Sequence, residues 1–425
     1  MTAVDMLRAH SAEFEKRIYE LAPNTYLAVG FAASNVGIIV GDDGVIVIDT
    51  TESTRAAENV LAELRAITQK TVKTIIYTHS HRDHISGSTV FADGHQVEII
   101  AHHAFSSDLV GRSDRPGPHK ILQARTAWQF GIGLEDGTER INIGIGPSDR
   151  PIEGLGQGYL APNTLIEADN QTLTRCGVTF QLAFAPGECA DNLVVFVPKH
   201  RVLFSADNFY ASFPNLYAIR GTPYRDFDIW ADSLSKLSSF NAEVLAPGHS
   251  RPIYGAQNVA VALADYEEAV RFVIAKCAEG MNSGLTPDAL VAYVRLPDHL
   301  AEKPYLQPFY GTVEWSVRAY FAGTLGWFDG DPANLFPLPP KEDAERTADL
   351  AGGLDNLARS MQAAIDQEDF QWALQLSGKV RCLDPDHAGA KKARTAALRA
   401  LAGQQINACA RNYYLLSAKE LERGD

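Results

Sequence analysis

The densest chemistry in the chain sits in one heptapeptide, Thr78-His79-Ser80-His81-Arg82-Asp83-His84. It gathers three imidazoles and a carboxylate within six positions. Neutral imidazole and carboxylate oxygen are the ligands zinc prefers, at about 2.0–2.2 Å. The His-x-His alternation at a strand end points both rings to one side, because successive side chains on a strand alternate faces. Asp83 and His84 follow where the chain turns into a helix and face the same pocket from below. One tetrahedral metal cannot take all four donors and keep an open position, so the pattern fits a two-metal site better. The plain alternative is a surface run of histidines. Such a run does not continue a near-continuous apolar strand, whereas this one follows Val72–Tyr77 directly.

The elements that must position this cluster alternate in type. Tyr26–Val29, Val36–Val40 and Val45–Asp49 are short β-branched runs separated by Gly30, Gly41 and the Asp42-Asp43-Gly44 turn. Arg55–Ile67 reads as a helix with Val60, Leu61, Leu64 and Ile67 on one face. Val72–Tyr77 and Val97–Ala101 read as strands. Gly111–Gly158, rich in Gly, Pro and Asp, reads as a long loop or lid, with Trp128 and Phe130 as apolar contacts. Strands resume at Leu165–Ile166, Leu173–Arg175, Val178–Ala183, Leu193–Val197, Val202–Phe204 and Val244–Leu245, with a helix at Trp230–Leu237. Alternating strands and helices make an α/β layered domain. Asn258–Ala278 is helical, and the proline-rich stretch Gly330–Pro340 marks a break. From Glu342 the chain parses into four helices with breaks near Glu368, Pro385 and Gly403, a TPR-like hairpin array. Met1–Tyr19 reads as a mixed-charge helix.

Composition excludes several classes. The 425 residues carry a net charge of −14, which speaks against nucleic acid, because phosphate binding needs clustered Lys and Arg. An anionic substrate stays open, since a bound metal reverses the local potential. No stretch approaches the length of a membrane-spanning helix, so no membrane insertion is expected. The five cysteines, Cys176, Cys189, Cys277, Cys382 and Cys409, form no CxxC pair and are odd in number. That fits a reducing compartment. Met1–Tyr19 holds no apolar leader, so a cytoplasmic protein is expected.

HxHxDH after a buried strand resembles the signature of the metallo-β-lactamase superfamily. The resemblance implies an αββα sandwich and three further ligands, each at a strand end. Candidates stand in order: Glu188 in Pro186-Gly187-Glu188, Asp207 in Phe204-Ser205-Ala206-Asp207-Asn208, and His249 in Ala246-Pro247-Gly248-His249. By resemblance one zinc would take His79, His81 and Glu188, the other Asp83, His84 and His249, with Asp207 bridging. That makes two zinc ions per chain. Glu188, where most relatives have histidine, is similar to the alkylsulfatase branch. So are Asn208-Phe209-Tyr210, the segment Phe213–Asp226, Gly311–Arg318, Leu325–Leu335 and Ala410–Leu415. The resemblance implies a catalytic domain over residues 1–275 and an α-helical dimerisation domain over 276–425. The partners implied are a small sulfate ester and a second copy of the chain.

Asn215 and Arg220 would be the sulfate-binding pair by resemblance. The residue chemistry agrees, because Arg forks onto the oxygens of a tetrahedral anion and Asn adds neutral donors. Arg225 and Tyr217 lie in the same segment and are further substrate-binding candidates. Catalysis would rest on Asp83, Asn215 and Arg220, with hydroxide supplied by a water between two cations. Two departures stand out. Trp315 and Ser316 occupy the positions where longer members carry His-Asn, the histidine being a proposed general acid. Protonation of the leaving group would then come from another donor, Tyr217, Tyr224 or His119 being candidates, or from water. The chain also stops at Asp425, where longer relatives continue with a sterol-carrier-like domain, so a more open or differently lined site is expected. The competing readings are a lactonase, β-lactamase or phosphodiesterase on the same fold, and a non-catalytic scaffold whose helical region binds a partner.

Overall fold

The computed structural model describes residues 1–106 and 117–423. Residues 111–116 of the expected loop lie outside the described residues. Two sheets form the centre. The first has seven strands in sequence order: β1 (Arg17–Ala22), β2 (Thr25–Val29), β3 (Val36–Val40), β4 (Val45–Ile48), β5 (Val72–Ile76), β6 (Glu98–His102) and β7 (Thr164–Ile166). The second holds β8 (Asn170–Arg175), β9 (Val178–Phe184), β10 (Leu193–Val197), β11 (Val202–Ala206), β12 (Val244–Pro247) and β13 (Ile253–Tyr254), in the order β13-β12-β11-β10-β9-β8. Met1–Tyr19, expected as one helix, is divided. In fact α1 spans Ala3–His10 and the chain is already in β1 at Arg17.

Side-chain alternation builds the layers. On β4, Ile46 and Ile48 face the second sheet, where they meet Phe180, Leu182 and Phe204. Val45 and Val47 face the other way, into a core shared with Val60, Leu64 and Phe91. Those residues belong to α2 (Thr54–Ile67) and α4 (Ser88–Ala92), which precede and follow α3 (Arg82–Ile85). Ser53 caps α2 through the Ala56 amide, and the helix buries Ala56, Ala57, Val60 and Leu64. Ile67, expected on the buried face, is exposed. On the far side, Leu203 and Val194 pack under α6 (Phe227–Ser239) and α7 (Ala256–Asn282), with α5 (His119–Gln129) lying between β6 and β7 in sequence. The result is an αββα sandwich. Burying such side chains stabilises by roughly 1.5–3 kcal/mol each.

The expected loop Gly111–Gly158 contains α5, which the sequence reading missed. Only Gln129 of α5 is fully buried. No apolar stripe therefore announced the helix.

Past the sandwich come α8 (Pro287–Tyr293), α9 (Asp298–Ala301), α10 (Val313–Leu325), α11 (Pro340–Leu350), α12 (Leu354–Asp366), α13 (Phe370–Leu383), α14 (Ala388–Gly403) and α15 (Ala408–Arg423). Among the described residues the stretch expected to hold about four helices holds five, α11 to α15, because Gly352 and Gly353 at φ 83° and 111° split α11 from α12. Gly tolerates that backbone without strain. α7 runs continuously through residues 275 and 276, and one core joins its Val270, Val273 and Cys277 to Leu290, Val317 and Phe321. Among the described residues no helix is long and apolar enough to cross a membrane.

Candidate metal centre

β4 pairs parallel with β5, β5 with β6, and β11 with β12. Parallel pairing brings their C-terminal ends to one edge, the usual place for a site on such sheets. Asp49 follows β4, Thr78 and His79 follow β5, Asp207 follows β11 and His249 follows β12. Glu188 sits in the β9–β10 turn. The three groups His79, His84, Asp207; Asp83, His84, His249; and His81, Glu188, Asp207 each keep their ligand atoms within 4.8 Å. All seven residues singled out from the sequence thus meet in one place.

Two of them need a glycine in front. A Cβ on Gly248 would stand 2.3 Å from Oδ1 of Asp207, and one on Gly187 2.0 Å from Oδ1 of Asn208. Both turns can close on the centre only because that atom is missing. Backbone strain gathers here as well: Asp49, Ala206 and Ser250 have φ of 60°, 50° and 67°. Non-glycine residues in this region cost free energy and cluster at functional sites.

The imidazoles are oriented from behind. His84 sets Nδ1 2.7 Å from Oδ2 of Asp49, and His249 sets Nδ1 2.7 Å from the Ala33 carbonyl. The Thr78 hydroxyl donates to Asp49 at 2.8 Å, so it accepts from Nδ1 of His79 at 2.9 Å. All three rings therefore turn Nε2 inward, where those atoms lie 3.3, 3.4 and 3.3 Å from Oδ2 of Asp207 for His79, His84 and His249. Asp49 was missed in the sequence; the signal available was a carboxylate ending the wholly apolar run Val45–Ile48.

The site is built for cations. Buried Nε2 of His84, Nε2 of His249 and Oδ1 of Asp207 have no hydrogen-bond partner. Burial alone would lower His84, yet Asp207, Asp83 and Asp49 hold it well above its ordinary value. Burial likewise opposes a charge on His249, and Asp207 and Asp83 still lift it to about 9. Burial lowers His81 well below its usual range, helped by His79 and Arg220. Unpaired inward donors among three carboxylates are what a bound metal would satisfy. The donor set fits one.

Glu188 is held from two sides. Tyr210 donates to Oε2 at 2.8 Å and Arg225 lies 2.9 Å from Oε1. Tyr210 also accepts the Asn215 amide at 2.7 Å, and Arg225 bonds the Asn215 carbonyl. Arg225, a substrate-binding candidate, therefore turns mainly to Glu188, with Nη2 its buried end without a partner. Asn215 is buried and its Oδ1 is unpartnered. Arg220 is half-buried, close enough to act on His81 and Asp83. Burial works against its charge, but Tyr310 and Glu188 more than offset that and raise it. Its amide donates to Oε1 of Gln129 at 3.0 Å, and Nη1 lies 3.5 Å from the Tyr310 hydroxyl. Gln129 ends α5 and accepts in turn from Asn412 of α15. Tyr217 is half-buried in the same segment, and Tyr224 is half-exposed.

Sandwich and donor set together define a metal-dependent hydrolase. Residues 29–249 match the Metallo-beta-lactamase superfamily, and residues 286–424 match Alkyl sulfatase dimerisation. The chain is 38% identical to a linear primary-alkylsulfatase from Pseudomonas sp. over 91% of its own length and 73% of the relative's. It is 32% identical to an (R)-specific secondary-alkylsulfatase from Pseudomonas sp., covering 96% of this chain and 63% of that one. The solved stereoselective inverting sec-alkylsulfatase Pisa1 from Pseudomonas sp. superposes with a TM-score of 0.87 at 30% identity, over 96% of this chain and 66% of that one. The chain belongs to the alkylsulfatases of the metallo-beta-lactamase superfamily. It spans just under two thirds of the latter two relatives.

Proposed function

We propose that the protein hydrolyses sulfate monoesters, alkyl or aryl, with two zinc ions held by His79, His81 and Glu188 on one side and Asp83, His84 and His249 on the other, Asp207 lying between. The observation that carries this reading is Arg220 standing beside a cluster of cation ligands: an anion held by Arg220 would face the metals. When bound, the two cations make a water acidic enough to supply hydroxide near neutral pH and screen developing charge. The chain does the rest. Arg220 and the Asn215 amide group hold sulfate oxygens, and their fixed dipoles cost no reorganisation as charge develops. Arg225 neutralises Glu188, Asp49 fixes the His84 tautomer, and Asp83 keeps its carboxylate against His84 and His249.

Match to a dimerisation family over residues 286–424 supports a homodimer formed through the helical part. Exposed Trp327 and Phe336 in that part support it too. Five free cysteines suit a reducing cytoplasm. The test is sulfate release from graded alkyl and aryl sulfates, before and after chelator and again with zinc restored. Release that chelator abolishes and zinc restores is expected. Cleavage of lactones or nitrocefin with no sulfate released from any ester would overturn the reading.

A further inference from the structure

We propose that Arg125 and Gln129 are positioning residues for Arg220 and that α15 holds them in place, so that α15 sets how firmly the sulfate group is bound. This deepens the sulfate-ester reading above and rests on it, since Arg220 is the residue that would hold the sulfate. The peptide group between Ile219 and Arg220 is gripped at both ends. The Arg125 guanidinium donates to the Ile219 carbonyl, and Oε1 of Gln129 accepts the Arg220 amide at 3.0 Å. Arg125 and Gln129 stand four residues apart on α5, one turn along the same helix face. A peptide group is planar, so holding its oxygen and its hydrogen together fixes the backbone angle on either side. The direction in which the Arg220 side chain leaves the backbone is set in this way. The Ala218 carbonyl accepts the Gly221 amide at 2.9 Å, so the gripped peptide lies inside a closed turn. Phe130, next along from Gln129, puts its ring centre 5.8 Å from the Arg220 guanidinium, within cation–π range. The C-terminal end of α5 thus supports Arg220 at its base and near its tip.

Stability alone does not explain the glutamine. Gln129 is fully buried, and its Nε2 has no hydrogen-bond partner. Turning the amide over would set its NH2 against the Arg220 N–H, so the bond to Arg220 decides its orientation. An unpartnered buried donor costs free energy that an apolar side chain of the same shape would avoid. The amide costs stability at this position, and what it reaches is Arg220.

α5 does not hold its own place. It has 11 residues and buries only Gln129, short of the length at which an isolated helix persists in water. Its C-terminal end is fixed by α15. Nδ2 of Asn412 donates to the Gln129 carbonyl at 3.3 Å, and the Tyr413 ring meets Trp128 edge-on at 5.1 Å. Beyond the helix, Leu134 shares a small core with Leu415 and Leu416. α15 lies within the residues that match Alkyl sulfatase dimerisation. The helical part therefore reaches Arg220 through α5.

Zinc-loaded full-length protein tests this by calorimetric titration with inorganic sulfate and by kcat/KM on a sulfate ester. Gln129→Met keeps the shape and loses the acceptor. It and Arg125→Met should each weaken sulfate binding and lower kcat/KM about 3–10-fold, the effect of one hydrogen bond, with metal content unchanged. Arg125→Lys keeps a donor and should recover most of the loss. Asn412→Ala and Tyr413→Ala, which loosen α15 from α5, should each cost about threefold. A double-mutant cycle decides the role. In Arg220→Ala protein the same substitutions should change kcat/KM less than about twofold, because no arginine is left to position. A loss of undiminished size in that background would make these residues merely structural and overturn the inference, with the sulfatase reading intact. Unchanged sulfate affinity in Arg125→Met and Gln129→Met would overturn it as well, and unchanged affinity in Tyr413→Ala and Asn412→Ala would remove α15 from it. Arg125 and Tyr413 are only half-buried, so their variants carry the test where a buried one fails to fold. Turnover of no sulfate ester at all would sink both readings.

Discussion

Arg225 sets its Nη1 2.9 Å from Oε1 of Glu188, with both side chains buried. The pair reaches the centre through the β9–β10 turn and the segment after β11, so it ties two loops to one candidate ligand. Removing one partner of a buried pair strands the other charge and costs roughly 3–5 kcal/mol. Arg225→Met should therefore lower the melting temperature of the chelated protein by several degrees. Glu188→Ala should lower metal content to about one ion per chain, measured by elemental analysis. Two ions retained in Glu188→Ala would remove Glu188 from the ligand set.

Asp49 never touches the inward face, yet it sets the tautomer of His84 at 2.7 Å and holds Thr78 at 2.8 Å. Asp49→Asn keeps the shape and loses the charge behind the ring. Loss of such a partner typically weakens metal binding about 10–100-fold. Competition with a chromogenic chelator should show that drop, with the circular dichroism spectrum unchanged. Equal affinity in the variant would mean Asp49 is only structural.

Arg220→Ala should leave metal content near the wild-type value and damage sulfate-ester turnover about 10²–10³-fold, the size of effect seen when one charge-stabilising donor is lost. Its amide bond to Gln129 is a backbone contact and survives the change. Metal analysis beside kcat/KM separates the two roles. Intact sulfatase activity would show the sulfate pocket to be elsewhere.

The heptapeptide was legible because its four donors fall within six positions and follow a mostly apolar strand. Glu188, Asp207 and His249 were legible only through order and context, since each is a single loop residue. Asp49 was not, because its role exists only once β4 lies beside β5. The Glu188 clamp of Tyr210 and Arg225 depends equally on packing between distant loops. α5 was lost in a Gly- and Pro-rich stretch, yet it anchors Arg220 through Gln129 and, by Arg125, the Ile219 carbonyl. β1 was lost because an edge strand with Arg17 and Glu20 exposed carries little apolar pattern.

His10 offers a pH test away from the metals. It is buried, stacked on Phe309 at 3.8 Å, and sets Nε2 2.9 Å from the Gly144 carbonyl. Burial pushes it down to about 4, although the Gly144 bond opposes this. A folded value below the unfolded 6.5 means the unfolded chain binds the proton more readily. The stability this adds is complete above about pH 6.5 and is lost as pH falls through 4, roughly 3 kcal/mol in all. Denaturant melts of wild type and His10→Gln should converge as pH falls from 6.5 to 4. Parallel curves over that range would exclude His10 as the titrating group.

The stretch after α10 leaves large apolar side chains in water: Leu325 is 57% exposed, Trp327 75% and Phe336 93%. Folded monomers seldom present so many together, and such surfaces mark interaction sites. They lie within the residues that match the dimerisation family. A second copy of the chain is the occupant that match points to. Buried Trp and Phe anchors at interfaces typically cost about 2 kcal/mol or more when truncated, close to 30-fold in Kd each. Trp327→Ser with Phe336→Ser should therefore shift the protein from dimer to monomer at micromolar concentration in sedimentation equilibrium. The residues grouped as candidate metal ligands all lie in one chain, so metal content per chain should not change. A double variant that stays dimeric at nanomolar concentration would place the interface on another face of the helical part.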